Sequence, residues 1–123
     1  MATPFDRESL KTVIRCKVKR VKLASSDLDN FELLDAIQKT KKPIILSSGL
    51  SNLAGIKKSL VFLKKKGVKK NKITLLHCTT AYPTPNEEIN LRVLNDLKKL
   101  GIKIGYSDHT VGNEASLGAV ALG

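Results

Sequence analysis

Ser107 and His109 stand two residues apart in Ile104-Gly-Tyr-Ser-Asp-His-Thr110, directly after a short apolar lead. If that lead is a strand, period-two alternation points both side chains to the same side of the backbone. A hydroxyl and an imidazole converging on one spot make a place where a metal ion or an anionic oxygen can be held. Taken alone, the stretch reads first as a surface turn carrying an ordinary histidine. Three earlier segments repeat the pattern of an apolar run that ends in small polar groups: Lys22-Leu-Ala-Ser-Ser-Asp27, Ile45-Leu-Ser-Ser-Gly49 and Leu76-His-Cys-Thr-Thr80. The recurrence is what raises the stretch from a turn to a candidate site.

Those polar ends need elements to carry them. Asp6 can cap a helix whose apolar face is Leu10, Val13 and Ile14, and Val18 to Leu23 reads as a strand. Asn30 caps a helix with Leu33, Leu34 and Ile37 on one side. Lys41-Lys-Pro43 breaks it and leads into the strand Ile44 to Leu46. Asn52 opens a third helix with Leu53, Ile56, Leu60 and Leu63 at helical spacing, and Gly67 follows where a left-handed residue is expected. Ile73 to Leu76 is the next strand. Thr84-Pro-Asn-Glu87 has the form of a capping box, opening a helix that buries Ile89, Val93, Leu94, Leu97 and Leu100 before Gly101. Ile102 to Tyr106 is the last strand, and a small-residue helix runs from Glu114 to Leu122.

Strand and helix alternate with one unit about every 25 to 30 residues, the spacing of a (β/α)8 barrel. Alternation of this kind implies parallel strands with helical crossovers. In such sheets the chemistry lies at the carboxyl ends, where this chain places its Ser, Thr, His and Asp residues. Four strands do not close a barrel of eight, so the chain is either a small open-sheet domain or a segment of a larger barrel.

Composition narrows the class. The chain has 123 residues, 41% hydrophobic and 4% aromatic, the size of one domain with a modest core. No apolar run is long enough to span a bilayer, and the start at Met1-Ala-Thr-Pro-Phe5 lacks the form of a secretory signal. Cys16 and Cys78 lack CxxC spacing and sit in apolar surroundings, so both are expected as buried thiols in a reducing, cytoplasmic setting. The net charge of +11 comes largely from lysines on expected solvent faces of helices. Without interleaved aromatics or a nucleic-acid-binding fingerprint, it argues against specific nucleic-acid recognition and for salt-sensitive stickiness.

Thr3-Pro-Phe-Asp6, Lys42-Pro-Ile-Ile-Leu-Ser-Ser-Gly49, Leu76-His-Cys-Thr-Thr80 with Tyr82-Pro-Thr-Pro85, Gly105-Tyr-Ser-Asp-His-Thr110 and Gly118-Ala-Val-Ala-Leu-Gly123 occur in that order. Together they closely resemble the sialic acid synthase family, whose members make neuraminic, legionaminic and pseudaminic acids, over essentially the whole chain. The resemblance implies a partial (β/α)8 TIM barrel in a single domain, from the end of the third strand through the helix after the seventh. The first strands, the last strand and the C-terminal antifreeze-like domain are then outside it. It implies condensation of phosphoenolpyruvate with an N-acetylated amino sugar, with release of phosphate, in a homodimer that uses a divalent metal (Mn2+ ahead of Mg2+).

Carried over by position, the resemblance assigns Thr3, Lys22, Ser25, Ser47 and Ser107 to phosphoenolpyruvate, Lys22 and His109 to catalysis, and His109 to the metal. Thr80 and Tyr82 fall on the sugar side, as does Asp27. The residue types suit the chemistry, since a phosphate and a carboxylate need one fixed cation and several short hydroxyl donors. On their own terms Lys22 is a solvated lysine, the serines are turn residues, and His77 is a hydrogen-bonded structural histidine. Two positions depart from the family's pattern. Lys22-Leu-Ala-Ser-Ser-Asp27 replaces Lys-Ile-Gly-Ser-Gly-Glu, and Thr80 stands where neuraminate-making members often carry Asn. Both bear on the sugar. A non-catalytic module binding phosphate or phosphoenolpyruvate, and an open-sheet protein sharing only the scaffold, are the alternatives. As an isolated segment the chain is expected to be inactive and to self-associate through open sheet edges near Val21 and Ile104.

Overall fold

Helices begin where a side chain reaches back to free backbone donors, and each of the three longest helices has one. A computed structural model describes all of residues 1–123. Asp6 accepts from the Ser9 N–H at 2.6 Å while Ser9 Oγ accepts from the Asp6 N–H at 3.0 Å, a capping box that opens α1 (Arg7–Arg15). Asn30 accepts from Leu33 N–H at 3.1 Å to open α2 (Phe31–Lys39), and Asn52 from Gly55 N–H at 3.0 Å to open α3 (Leu53–Lys65). Such caps contribute about 1 kcal/mol each. Gly67 follows α3 with φ of +82°, the left-handed position that a side chain resists.

Strands β1 (Val21–Leu23), β2 (Ile44–Ser47), β3 (Ile73–His77) and β4 (Lys103–Tyr106) form one sheet in the order β1-β2-β3-β4, every pair parallel. β1 is shorter than the expected Val18 to Leu23, because Lys17 turns the chain with φ of +53° and the next three residues lie outside the ladder. On the free side of β1, Ala2 makes a parallel bridge to Val21, and the Lys22 N–H donates to the Ala2 carbonyl at 3.0 Å. One of the two expected open edges is therefore partly covered.

Strands that neighbour in space as they do in sequence, joined by right-handed helical crossovers, carry their helices on one face. Successive helices then pack side by side, as α1 does on α2 and α2 on α3. A doubly wound sheet would reverse its strand order and cover both faces. This is the geometry of a sector of a (β/α)8 barrel.

Register decides which residues face the helices. Val21, Ile44 and Ile73 align, as do Leu23, Leu46 and Leu75. These six are buried and pack with Leu33, Leu34, Ile37, Ile56, Leu63 and Leu97 in one core. Each contributes about 1.5–3 kcal/mol by leaving water. The alternate rows, Lys22–Ile45–Thr74–Lys103 and Ser47–Leu76–Gly105, point to the opposite face. Lys22 and Ser47 thus share a face that the core does not use. No helix is long and apolar enough to cross a membrane.

Three expectations need correction. The capping box at Thr84 does not form: the Thr84 hydroxyl donates to the Ala81 carbonyl at 3.0 Å, and only a 3-10 turn, Asn86–Glu88, follows. The helix proper, α4, is Val93–Lys98. The cause lies at the end of β3, where Thr79 Oγ1 donates to the Glu88 carbonyl and His77 Nε2 to the Ile89 carbonyl, each at 2.9 Å. Two carbonyls that would carry a helix onward past residue 88 are bound by side chains instead, and Asn90 turns with φ of +43°. Leu53 is 41% exposed, since it is the first residue of α3 and lies beyond the core; Ser59 takes a buried position and donates to the Leu28 carbonyl at 2.7 Å. Cys16, expected inside, is exposed at the C-cap of α1, while Cys78 is buried.

Candidate functional site

The four strand ends deliver their polar residues to one hollow. β1 hands over to a 3-10 turn, Ser25–Asp27, whose first residue faces inward: Ser25 Oγ accepts from the Gly49 N–H at 3.0 Å and lies 3.4 Å from Cys78 Sγ. β2 ends on Ser47, and the segment beyond it is fastened by Ser48, which donates to the Leu76 carbonyl at 2.9 Å. Gly49 must be glycine for room: a Cβ there would run into Thr80 Oγ1 and sit 3.0 Å from both the Cys78 carbonyl and its sulfur. A last α-helix, α5 (Glu114–Ala121), follows the loop after β4.

That loop holds the imidazole. His109 Nδ1 lies 2.6 Å from the Thr79 carbonyl, and the Thr84 N–H donates to the His109 carbonyl at 2.8 Å. A carbonyl can only accept, so Nδ1 carries a proton and Nε2 is left facing the hollow. Ser107 Oγ is 3.4 Å from Nε2, so the two side chains converge as alternation required. The Tyr82 ring lies over the imidazole at 4.3 Å between centroids. Asp108 holds the loop from behind, accepting from the Thr110 N–H and hydroxyl at 2.8 Å each and from the Ser116 hydroxyl of α5. Burial opposes ionisation of Asp108, but the hydroxyl of Ser116 and both groups of Thr110 outweigh it and hold the carboxyl below its usual range. Burial, with the adjacent Asp108 charge, pushes the Tyr106 hydroxyl up.

The resulting cavity measures about 190 Å3 and is lined by Lys22, Ser25 and Ser47 on one side and by Thr80, Tyr82, Ser107 and His109 on the other. Cys78 forms part of its wall. No carboxylate lines it, and Lys22 makes no ion pair. Ser47 Oγ is buried, on a residue 3% exposed, and has no hydrogen-bond partner. Leaving a buried hydroxyl unpaired costs about 1–3 kcal/mol. An uncompensated cation beside an unpaired hydroxyl gives this hollow the kinds of group that an anion's oxygens pair with.

Seven of the nine site residues taken from the resemblance line this cavity. Thr3 and Asp27 do not. Thr3 follows Ala2 along the outer side of β1 and is half-buried. Asp27 accepts from Asn30 Nδ2 at 3.1 Å and from Ser26 Oγ at 3.2 Å, at the start of α2. His77 is the structural histidine it resembled, 8% exposed and bound to the Ile89 carbonyl. Cys78, Gly49 and Asp108 are site residues that composition and spacing did not single out. The small-residue string Ser47-Ser-Gly49 carried the one available signal, a backbone built for close approach.

The donor set for a metal is one imidazole nitrogen. No group of three His, Cys, Asp or Glu side chains stands together anywhere in the chain. His109 fits a single ligand position, its tautomer set by the Thr79 carbonyl as ligating histidines require. A whole coordination shell is not present.

Four parallel strands with their helices on one face and a polar hollow at the strand ends define a sector of a β/α barrel, and comparison with known proteins gives the family. Residues 1–123 match the profile of the NeuB family, and the chain belongs to that family. It is 46% identical over 124 residues to N,N'-diacetyllegionaminic acid synthase of Campylobacter jejuni, covering 100% of this chain and 37% of that protein. It is 36% identical to the N-acetylneuraminate-9-phosphate synthase of Homo sapiens, covering 99% of this chain and 34% of that one. Among solved structures, the N-acetylneuraminic acid synthetase of Leptospira borgpetersenii in complex with citrate superposes with a TM-score of 0.91 at 37% identity, over 98% of this chain and 42% of its own. The spore coat polysaccharide biosynthesis protein SpsE of Bacillus subtilis gives 0.93 at 28% identity, over 98% and 34%. The chain thus spans well under half the length of each of these relatives.

Proposed function

We propose that this chain is the phosphoenolpyruvate-holding sector of an enzyme that joins phosphoenolpyruvate to an N-acetylated amino sugar, forming a nonulosonic acid and phosphate. The observation that carries this reading is the buried, partnerless Ser47 hydroxyl in a cavity that also holds the unpaired Lys22. Lys22 supplies the cation for an anionic group. Ser25, whose oxygen already accepts from Gly49 N–H, keeps its own proton to donate; Ser47 and Ser107 add two more hydroxyls. Relatives named as legionaminic, pseudaminic and neuraminate-type synthases support this substrate class. Thr80 and Tyr82, on the far wall, meet the sugar, and Thr3 and Asp27 border the site from outside the cavity.

His109 gives one ligand to a divalent metal, with Mn2+ favoured over Mg2+ because nitrogen is in the set. When bound, that metal would polarise the sugar aldehyde. Its other ligands come from beyond these 123 residues, since the chain groups none of them with His109. By this reading the chain alone binds phosphoenolpyruvate without turning it over. The family's homodimer and a cytoplasmic setting belong to the same reading.

Phosphate release from phosphoenolpyruvate, N-acetylated sugar and Mn2+ tests it. In a protein of family length carrying this sector, Lys22→Met or His109→Ala should each lower the rate by about 10²–10³, the loss typical of one preorganised electrostatic contact. Full activity in both variants would overturn the assignment.

A further inference from the structure

The cavity wall contains a thiol for which the proposed reaction has no use. Cys78 is 4% exposed, and its sulfur stands 3.4 Å from Ser25 Oγ on the same hollow as the partnerless Ser47 hydroxyl. The space before it is about 190 Å3, several times what a peroxide-sized molecule fills. Cys16, the other thiol, is exposed at the end of α1. It precedes β1 and so lies at the amino-terminal end of the sheet, whereas Cys78 lies just past the carboxyl end of β3. A five-residue strand separates those levels by about 16 Å. Disulfides need Cα atoms within about 7 Å, so Cys16 does not resolve an oxidised Cys78 of the same chain.

We propose that Cys78 is an oxidation site of the anion cavity, and that its oxidation by a hydroperoxide and the occupation of the cavity by an anion exclude one another. Sulfur attacks the near oxygen of hydrogen peroxide, the O–O bond breaks, and an S–O bond forms. The thiol proton leaves with the departing oxygen as water, so that R–SH and H2O2 give R–SOH and H2O. The added oxygen projects into the space between Ser25 and Ser47, where an anion's oxygen would accept their hydrogen bonds. In return, a bound anion shields the sulfur. The mutual exclusion rests on the anion reading given above; access to the sulfur does not.

The test follows both cysteines of the chain by mass spectrometry during exposure to hydrogen peroxide, with Cys16 as internal control and inorganic phosphate as probe. Phosphate binding is measured separately by calorimetry. Oxidation of Cys78 in the folded protein, slowed tenfold or more by saturating phosphate while Cys16 keeps its rate, is the expected result. Cys78 reacting only under denaturing conditions overturns the proposal, as does phosphate that binds with measurable heat yet leaves the Cys78 rate unchanged. If neither phosphate nor phosphoenolpyruvate binds, the anion reading fails instead. The oxidation site is then judged by methyl methanethiosulfonate: methylthiolation of folded Cys78 within tenfold of the Cys16 rate upholds it, and silence overturns it.

Discussion

The proton on His109 Nδ1 is directed at the Thr79 carbonyl 2.6 Å away, so the imidazole's other nitrogen is aimed into the cavity by the neighbouring strand's loop. The bond couples two strand ends: Thr79 follows β3 and His109 follows β4. It explains how a histidine on a loop acquires a fixed bearing without a carboxylate partner.

The Ser47 hydroxyl gives the most local prediction. In the free protein it is buried without a partner, so Ser47→Ala should leave stability unchanged or raise it by about 1 kcal/mol. Anion binding should weaken about tenfold in the same variant, for loss of one hydroxyl donor. Urea unfolding and calorimetry on the one sample measure both. A clear destabilisation would mean that Ser47 already has a partner in solution.

Gly49 tests the close approach of two strand ends. Its missing Cβ would meet Thr80 Oγ1 and the Cys78 backbone oxygen, so Gly49→Ala should destabilise by about 1–3 kcal/mol through overpacking. Adding Thr80→Ala removes the nearer obstacle and should restore part of that loss. A double-mutant cycle from denaturant unfolding reads the coupling. Additive effects would show that the two residues do not approach in solution.

How much of this could be read from residues alone divides along a physical line. Local signals held: Asp6, Asn30 and Asn52 cap their helices, and Gly67 takes its left-handed turn. Each depends on atoms within four residues. The helix expected from Thr84 stops after one 3-10 turn because the Glu88 and Ile89 carbonyls, which would carry it on, are taken by Thr79 and His77 at the end of β3. Cys16 was misplaced because the helix end that exposes it lies at the boundary of an apolar stretch. Within the site, the shared direction of Ser107 and His109 followed from alternation, but the unpaired Ser47 hydroxyl is a statement about everything that surrounds it. Only the folded packing around it decides that.

Acid sensitivity should concentrate at Asp35. It lies 2.7 Å from the ammonium groups of Lys39 and Lys66, whose hydrogen bonds, Lys39 first, hold its carboxyl far below the usual range. A carboxyl depressed in the folded state stabilises above its unfolded pKa, about 3.9, and that contribution is lost as pH falls toward the folded value. Asp108 acts in the same sense. Asp35→Asn should therefore lower the melting temperature at neutral pH and flatten its fall between about pH 4 and pH 2. Parallel acid limbs for variant and parent would remove Asp35 from the account.

The outer edge of β4 has no partner strand, and Val111, Leu117 and Val120 are exposed beside it on α5 and the loop before it. Unpaired parallel edges with neighbouring apolar surface drive association. Sedimentation of the 123-residue chain should show mass rising with concentration. A monomer over a hundredfold concentration range that unfolds cooperatively would contradict this.

If Lys22, Ser25, Ser47 and Ser107 together receive phosphoenolpyruvate, a single titration shows it. Calorimetry of phosphoenolpyruvate into the folded chain should show saturable binding that is abolished in Lys22→Met, with the variant's melting temperature unchanged. Binding that survives Lys22→Met intact, or no binding by the folded parent, would contradict the account.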